Sequence, residues 1–263
     1  MGTHGGEERE APAERSRAGP WLGRDAMLLL LTWAAGSTDA ISYLGLGHVF
    51  TAMMTGNTVF LGLALGQGQV LAALRSVLAL AGFALGVALG ALIVERRPRL
   101  ADWPAAVTGA LALEGGLLGL FTAIWHLSGP ARGAGPVHAL IALSALAMGL
   151  QSAAVRALGV PGIATTYITG TLTSLMVALV HRLQAAARPA APDDAGQRGA
   201  ADATAPARWE LRVRLLGGVF LVYGLGALVG GLLLARGSAL STASPLLAVA
   251  VVVGNALVGH RRR

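Results

Sequence analysis

The chain alternates long apolar runs with short polar intervals. The runs lie at about 26–46, 72–94, 105–127, 137–157, 212–235 and 243–259. Each is close to the roughly 20 residues that a hydrocarbon core of about 30 Å requires of a helix, so six spans are the minimum. The expected fold class is all-α, a polytopic transmembrane helix bundle. Two further stretches, 49–66 (VFTAMMTGNTVFLGLALG) and 163–180 (IATTYITGTLTSLMVALV), are long enough to be borderline spans but begin with a Thr/Gly-rich half.

These two stretches coincide with an internal repeat. Shifting the chain by 114 positions brings Leu44-Gly45 onto Leu158-Gly159, Thr51 onto Thr165, and Thr55-Gly56-Asn57 onto Thr169-Gly170-Thr171. Once the Pro/Ala/Asp/Arg-rich segment 182–210 is skipped, Gly90-Ala91-Leu92 meets Gly226-Ala227-Leu228. The chain therefore divides into a polar tail (1–24), expected to be disordered and cytoplasmic, a first membrane repeat (25–127) and a second (137–260). Segment 182–210 is expected to be a flexible cytoplasmic loop within the second repeat.

Charge placement chooses between eight full spans and six spans with two segments that enter and leave on one side. Basic residues gather in the N-terminal tail (Arg15, Arg17, Arg24), at Arg96, Arg97 and Arg99, between Arg182 and Arg214, and at Arg261, Arg262 and Arg263. Cytoplasmic loops carry the excess of basic residues. Six spans with re-entrant or broken Thr-Gly segments put all four regions, and both termini, inside; eight spans strand Arg96–Arg99 outside. Each half then has three full spans, so the halves are expected to be inverted, a 3+3 repeat of the kind found in transporters. The competing arrangement lets both stretches cross, with one loop breaking the charge rule.

Composition narrows the chemistry. A 54% hydrophobic chain with mean hydropathy +0.64 cannot hide its apolar surface in one soluble core, so the lipid bilayer is its first partner. All 20 basic residues are Arg, which excludes lysine Schiff bases and Ser-Lys dyads. Cysteine is absent, which excludes disulfides, thiolate nucleophiles and Cys-ligated metals. The net charge of +7 sits in short clusters at the ends of apolar runs and reads as a topology signal, giving no reason to expect nucleic acid. No G-x-S-x-G or H-E-x-x-H motif is present, so no enzyme, cofactor or metal site is expected.

Asp39 lies well inside the first run, where a charged residue costs about 2.5–3.5 kcal/mol on insertion scales. It should face protein or water, either as a coupling-proton or cation site or as a hydrogen-bonded helix lock. Tyr43 follows one turn later. Glu114 is a second carboxylate, in the run 105–127. Arg75 and Arg156 sit near run ends, where they can snorkel or pair with a carboxylate. His48, His126 and His138 lie near membrane boundaries without metal-ligand spacing. Thr55, Gly56, Asn57, Thr169, Gly170 and Thr171 are the most informative positions. Non-helical backbone at membrane depth is tolerated only where it is buried in protein or lines a cavity, so two matching breaks point to a central site; the alternative is ordinary helix packing. Gly82, Gly86 and Gly90 fall four apart on one face, with Gly226 and Gly230 repeating the pattern, and read as packing positions.

The stretch from Gly36 through Asp39, Tyr43, Phe50 and Thr55 to Asn57 resembles the YoaK-like family of bacterial membrane proteins, a domain of unknown function. The stretch Ala147–Gly159, containing Gln151 and Arg156, followed by Ala164–Thr171, is similar to the family's second half. Where that family often has Asn after Gln, this chain has Ser152. The resemblance covers about 25–260 and implies a multi-pass protein of the bacterial cytoplasmic membrane. The leading expectation is a small secondary transporter or channel for a small solute or ion, with a polar site near Asp39, Gln151 and Arg156. The alternative is a non-transporting assembly or regulatory subunit, and a homo-oligomer is compatible with either.

Overall fold

The computed structural model describes residues 22–94, 103–160, 165–166, 168–187 and 205–261. The tail 1–21, the Arg96–Arg99 cluster, residues 188–204 of the 182–210 loop, and Arg262 and Arg263 lie outside the described residues. The described residues form eight helices: α1 (Arg24–Gly45), α2 (Met54–Gly66), α3 (Val70–Val94), α4 (Ala105–Leu127), α5 (Ala134–Ala157), α6 (Ile168–Ala187), α7 (Ala205–Ala235) and α8 (Leu240–Arg261). Six are long and apolar enough to cross a membrane: α1, α3, α4, α5, residues Trp209–Ala235 of α7, and α8. At 1.5 Å per residue they reach about 33–40 Å, more than the hydrocarbon core needs. α2, at 13 residues, is too short to span, and α6 is not among the candidate spans.

α1 and α5 are central. Of the most apolar stretch of each, 67% and 61% is buried, against 28% in α3 and 22% in α7, with 39% in both α4 and α8. The outer helices turn large side chains such as Leu74, Leu85 and Leu92 of α3 and Leu221, Leu225 and Leu228 of α7 outward. Lipid covers such faces in a membrane protein. The packing partners form a regular set: α1 lies on α7 as α5 lies on α3, α1 touches α8 as α5 touches α4, and α2 lies on α3 as α6 lies on α7. Exchanging α1–α4 for α5–α8 leaves the set unchanged.

Small residues make these contacts close. A Cβ on Gly86 would strike the Leu146 carbonyl, and one on Gly149 the Phe83 carbonyl, so α3 and α5 meet backbone to backbone. Gly82 and Gly90 face Ala142, Ala145, Leu150 and Ala153 of α5. At the matching interface Gly36 sits under the Tyr223 carbonyl, while Gly226 and Gly230 lie on Trp33 and Ser37 of α1. Without Cβ atoms the helices gain dispersion contact that lipid cannot replace.

The start of α1 and the end of α8 lie at one end of the bundle. The Asn255 side chain bonds the N–H and the C=O of Leu22 at 3.1 and 3.0 Å, and His260 meets Thr108 at the start of α4 at 3.0 Å. This end carries Arg24, Arg156, Arg182, Arg214 and Arg261, whereas Arg75, Arg132 and Arg236 lie at the other.

Candidate functional site

After α1 the chain reverses. Gly47 (φ 88°) and His48 (φ 63°) take the left-handed conformation, and the Arg75 guanidinium fits against Gly47, where no side chain blocks it. Residues 49–53 then run back along α1 without helix, so their amides need other partners. Asn57 serves Phe50 as a strand would, accepting its N–H at 2.9 Å and donating to its C=O at 2.6 Å. Asp39 Oδ1 accepts the N–H groups of Thr51 and Ala52, each at 2.7 Å. Asp39 Oδ2 accepts the Tyr223 hydroxyl from α7 at 2.5 Å. Thus three donors compensate a carboxyl that is 2% exposed.

The second half reverses at Gly159 (φ 64°). There Gln151 Nε2 donates to Thr165 Oγ1 at 2.9 Å and to the Leu31 carbonyl of α1 at 3.0 Å. One position on, Thr166 Oγ1 donates to Ser152 Oγ at 3.1 Å. The connection from α1 to α2 leaves the end of the bundle opposite Leu22 and Arg261, and the connection from α5 to α6, described at 158–160 and 165–166, leaves the end that holds them.

α2 and α6 begin at a common cavity of about 410 Å³. Thr55 and Gly56 border it from the first turn of α2, and Ile168 and Thr169 from the first turn of α6. Phe83, Ser152, Thr166 and Tyr223 complete much of the wall. The exposure repeats in the two motifs: Thr55 and Thr169 are exposed, Gly56 and Gly170 half-buried, Asn57 and Thr171 buried. The Thr-Gly pairs therefore open a helix, and the break itself precedes them.

Other expected site residues lie elsewhere. Asp39 is behind the wall, touching it through Ala52 and Tyr223. Tyr43 stacks on Phe50 at 5.1 Å and meets His48 edge-on at 5.0 Å, bracing the reversal. Arg156 is exposed in the last turn of α5, outside the cavity wall and without an ion pair to either carboxylate, because its long side chain reaches solvent more cheaply than a buried partner. Glu114 is fully buried in α4, and neither oxygen has a hydrogen-bond partner among the described residues. Among those residues the ion pairs Arg24–Asp25 and Arg214–Glu210 are exposed, and no three His, Asp or Glu side chains gather as a metal site would need.

The residue that sequence reasoning missed is Tyr223. Its signal was faint: one of 3 tyrosines, inside an otherwise apolar run, 184 residues from its partner. Ser152, Thr166 and Phe83 were also unassigned, although Ser152 adjoins Gln151.

Six membrane-length apolar helices packed through glycine, with polar groups turned to the interior, define a multi-pass helical membrane protein. The chain belongs to the family described as "Protein of unknown function (DUF1275)", whose model matches residues 27–256. Over 160 residues it is 45% identical to "UPF0700 transmembrane protein YoaK" of Bacillus subtilis (strain 168), covering 61% of this chain and 69% of the relative. No solved structure matches it.

Proposed function

We propose that this protein is a small-solute transporter or channel of the cytoplasmic membrane, built as two inverted halves of three spans, with α2 and α6 re-entrant and the Arg-rich end inside the cell. One observation carries the reading: α2 and α6 begin at the same cavity, and the connections that lead into them leave opposite ends of the bundle. Broken helices at matching positions of two halves are where transporters place their substrate. The interchangeable packing partners support the inverted repeat, and the Arg asymmetry supports the orientation. No catalytic role belongs to this reading.

The test uses the absence of native cysteine. Single cysteines at Thr55 and Thr169, probed with an impermeant maleimide in intact cells and inverted vesicles, are expected to react from opposite faces in at least one conformation. Ligands found by thermal stabilisation of the purified protein are then assayed for flux in proteoliposomes. Labelling of both positions from one face only, or a bound ligand that never crosses, defeats the proposal. The saturated hydrogen bonding of Asp39 favours a second reading, a non-transporting membrane subunit whose polar residues lock helices together. That reading expects partner retention to fail with Asp39→Asn and no ligand to stabilise the protein.

A further inference from the structure

The cavity's lining identifies what it would accept, resting on the reading of it as a solute site. Among the described residues no charged side chain borders it. Asp39 lies beyond Tyr223 and Ala52 with both oxygens engaged. Hydroxyls do border it, and they are unequally committed. Tyr223 donates to Asp39 and Thr166 donates to Ser152, whereas the exposed Thr55 and Thr169 are left for a ligand.

Backbone donors add to these. The first N–H groups of a helix have no intrahelical acceptor, and the residue before α2, Met53, supplies no side-chain cap. α6 opens on the same space at Ile168 and Thr169. Two helix N-termini contribute about half a unit of positive charge each, an amount that one nearby carboxylate offsets. The site is therefore rich in donors without a full charge of either sign. The rest of its wall is apolar and adaptable: Phe83, Val59, Ile168 and the thioethers of Met53 and Met54.

We propose that this cavity binds an uncharged solute that presents hydrogen-bond acceptor oxygens to the Thr55 and Thr169 side and an apolar face to Phe83 and the methionines. A volume of about 410 Å³ falls within the range of small-molecule sites. A full charge placed there would lose its hydration without gaining a counter-ion.

The test compares probes that share a skeleton and differ in charge: 2-phenylethanol, phenylacetate and 2-phenylethylammonium, then butyramide, butyrate and butylammonium. Binding to the full-length protein in nanodiscs is measured by thermal shift and equilibrium dialysis. In at least one series the neutral member is expected to bind about tenfold or more tightly than both charged members. The isosteric double variant Thr55→Val/Thr169→Val is expected to weaken it about five- to tenfold. Thr169→Trp, which fills the cavity from an exposed position, is expected to abolish binding. A charged member binding as well as the neutral one, unchanged binding in the double variant, or binding that survives Thr169→Trp, as partition into lipid would, overturns the proposal. So does the absence of a neutral preference in both series. Neutral binding without flux in proteoliposomes sinks transport and leaves this inference standing.

Discussion

The connections that lead into α2 and α6 are anchored by different chemistry. In the first half a carboxyl gathers two backbone N–H groups and a hydroxyl from the other half of the chain. In the second, a neutral amide and a Ser-Thr pair hold side-chain hydroxyls. Hydrogen bonds to charged groups contribute about 1.5–3 kcal/mol each, neutral ones nearer 1. The first connection should therefore be the firmer, although both border the same cavity. Matching packing partners do not demand matching anchors. The membrane interior demands only that each freed backbone group find a partner.

The largest test of this contrast is Asp39→Ala, which leaves the amides of Thr51 and Ala52 and the Tyr223 hydroxyl without partners in the interior. A loss of about 3–5 kcal/mol is expected, read as a lowered unfolding midpoint by the fluorescence of the 5 tryptophans. Next comes Tyr223→Phe, which removes one donor and leaves the other two. It should cost about 1.5–3 kcal/mol, and in Asp39→Asn the same change should cost much less, as a double-mutant cycle would reveal. Gln151→Leu should cost about 1–2 kcal/mol, because it strands Thr165 and removes the second donor to the Leu31 carbonyl but also removes an amide oxygen that itself has no partner. Ser152→Ala should cost under about 1 kcal/mol, since Thr166 borders the cavity and water can replace the lost partner. Equal losses for Asp39→Ala and Gln151→Leu would erase the distinction between the halves.

Much of the fold was legible because lipid imposes one demand along the whole chain. The run expected at 105–127 is helix at Ala105–Leu127, and that expected at 26–46 is Arg24–Gly45. The glycine faces were legible for the same reason, since a four-residue spacing aligns Gly82, Gly86 and Gly90 along one side of α3. The site was legible in part. The register of the repeat alone pairs Thr55 and Gly56 with Thr169 and Gly170, and Thr55, Gly56 and Thr169 do border one cavity. Where the helix would restart was not legible, because Thr and Gly serve a first turn as readily as a break. Tyr223 was hidden because a hydrogen bond between helices leaves no trace in local periodicity. Arg156 misled because its sequence neighbour Gln151 is buried while it turns outward.

The interleaving of the halves also dictates an order of assembly. α1 finds its main partner in α7 and α3 finds its own in α5, so neither half can complete its core from its own helices. As the chain leaves the ribosome, α1 reaches the membrane with Asp39 long before Tyr223 has been synthesised, 184 residues later. The glycine groove of α3 likewise stays open until α5 arrives. During that interval the insertion machinery must shelter a carboxyl and a bare backbone face, and release becomes favourable only when α7 docks. A chain truncated before α7 should stay associated with that machinery, while the full-length chain should leave it.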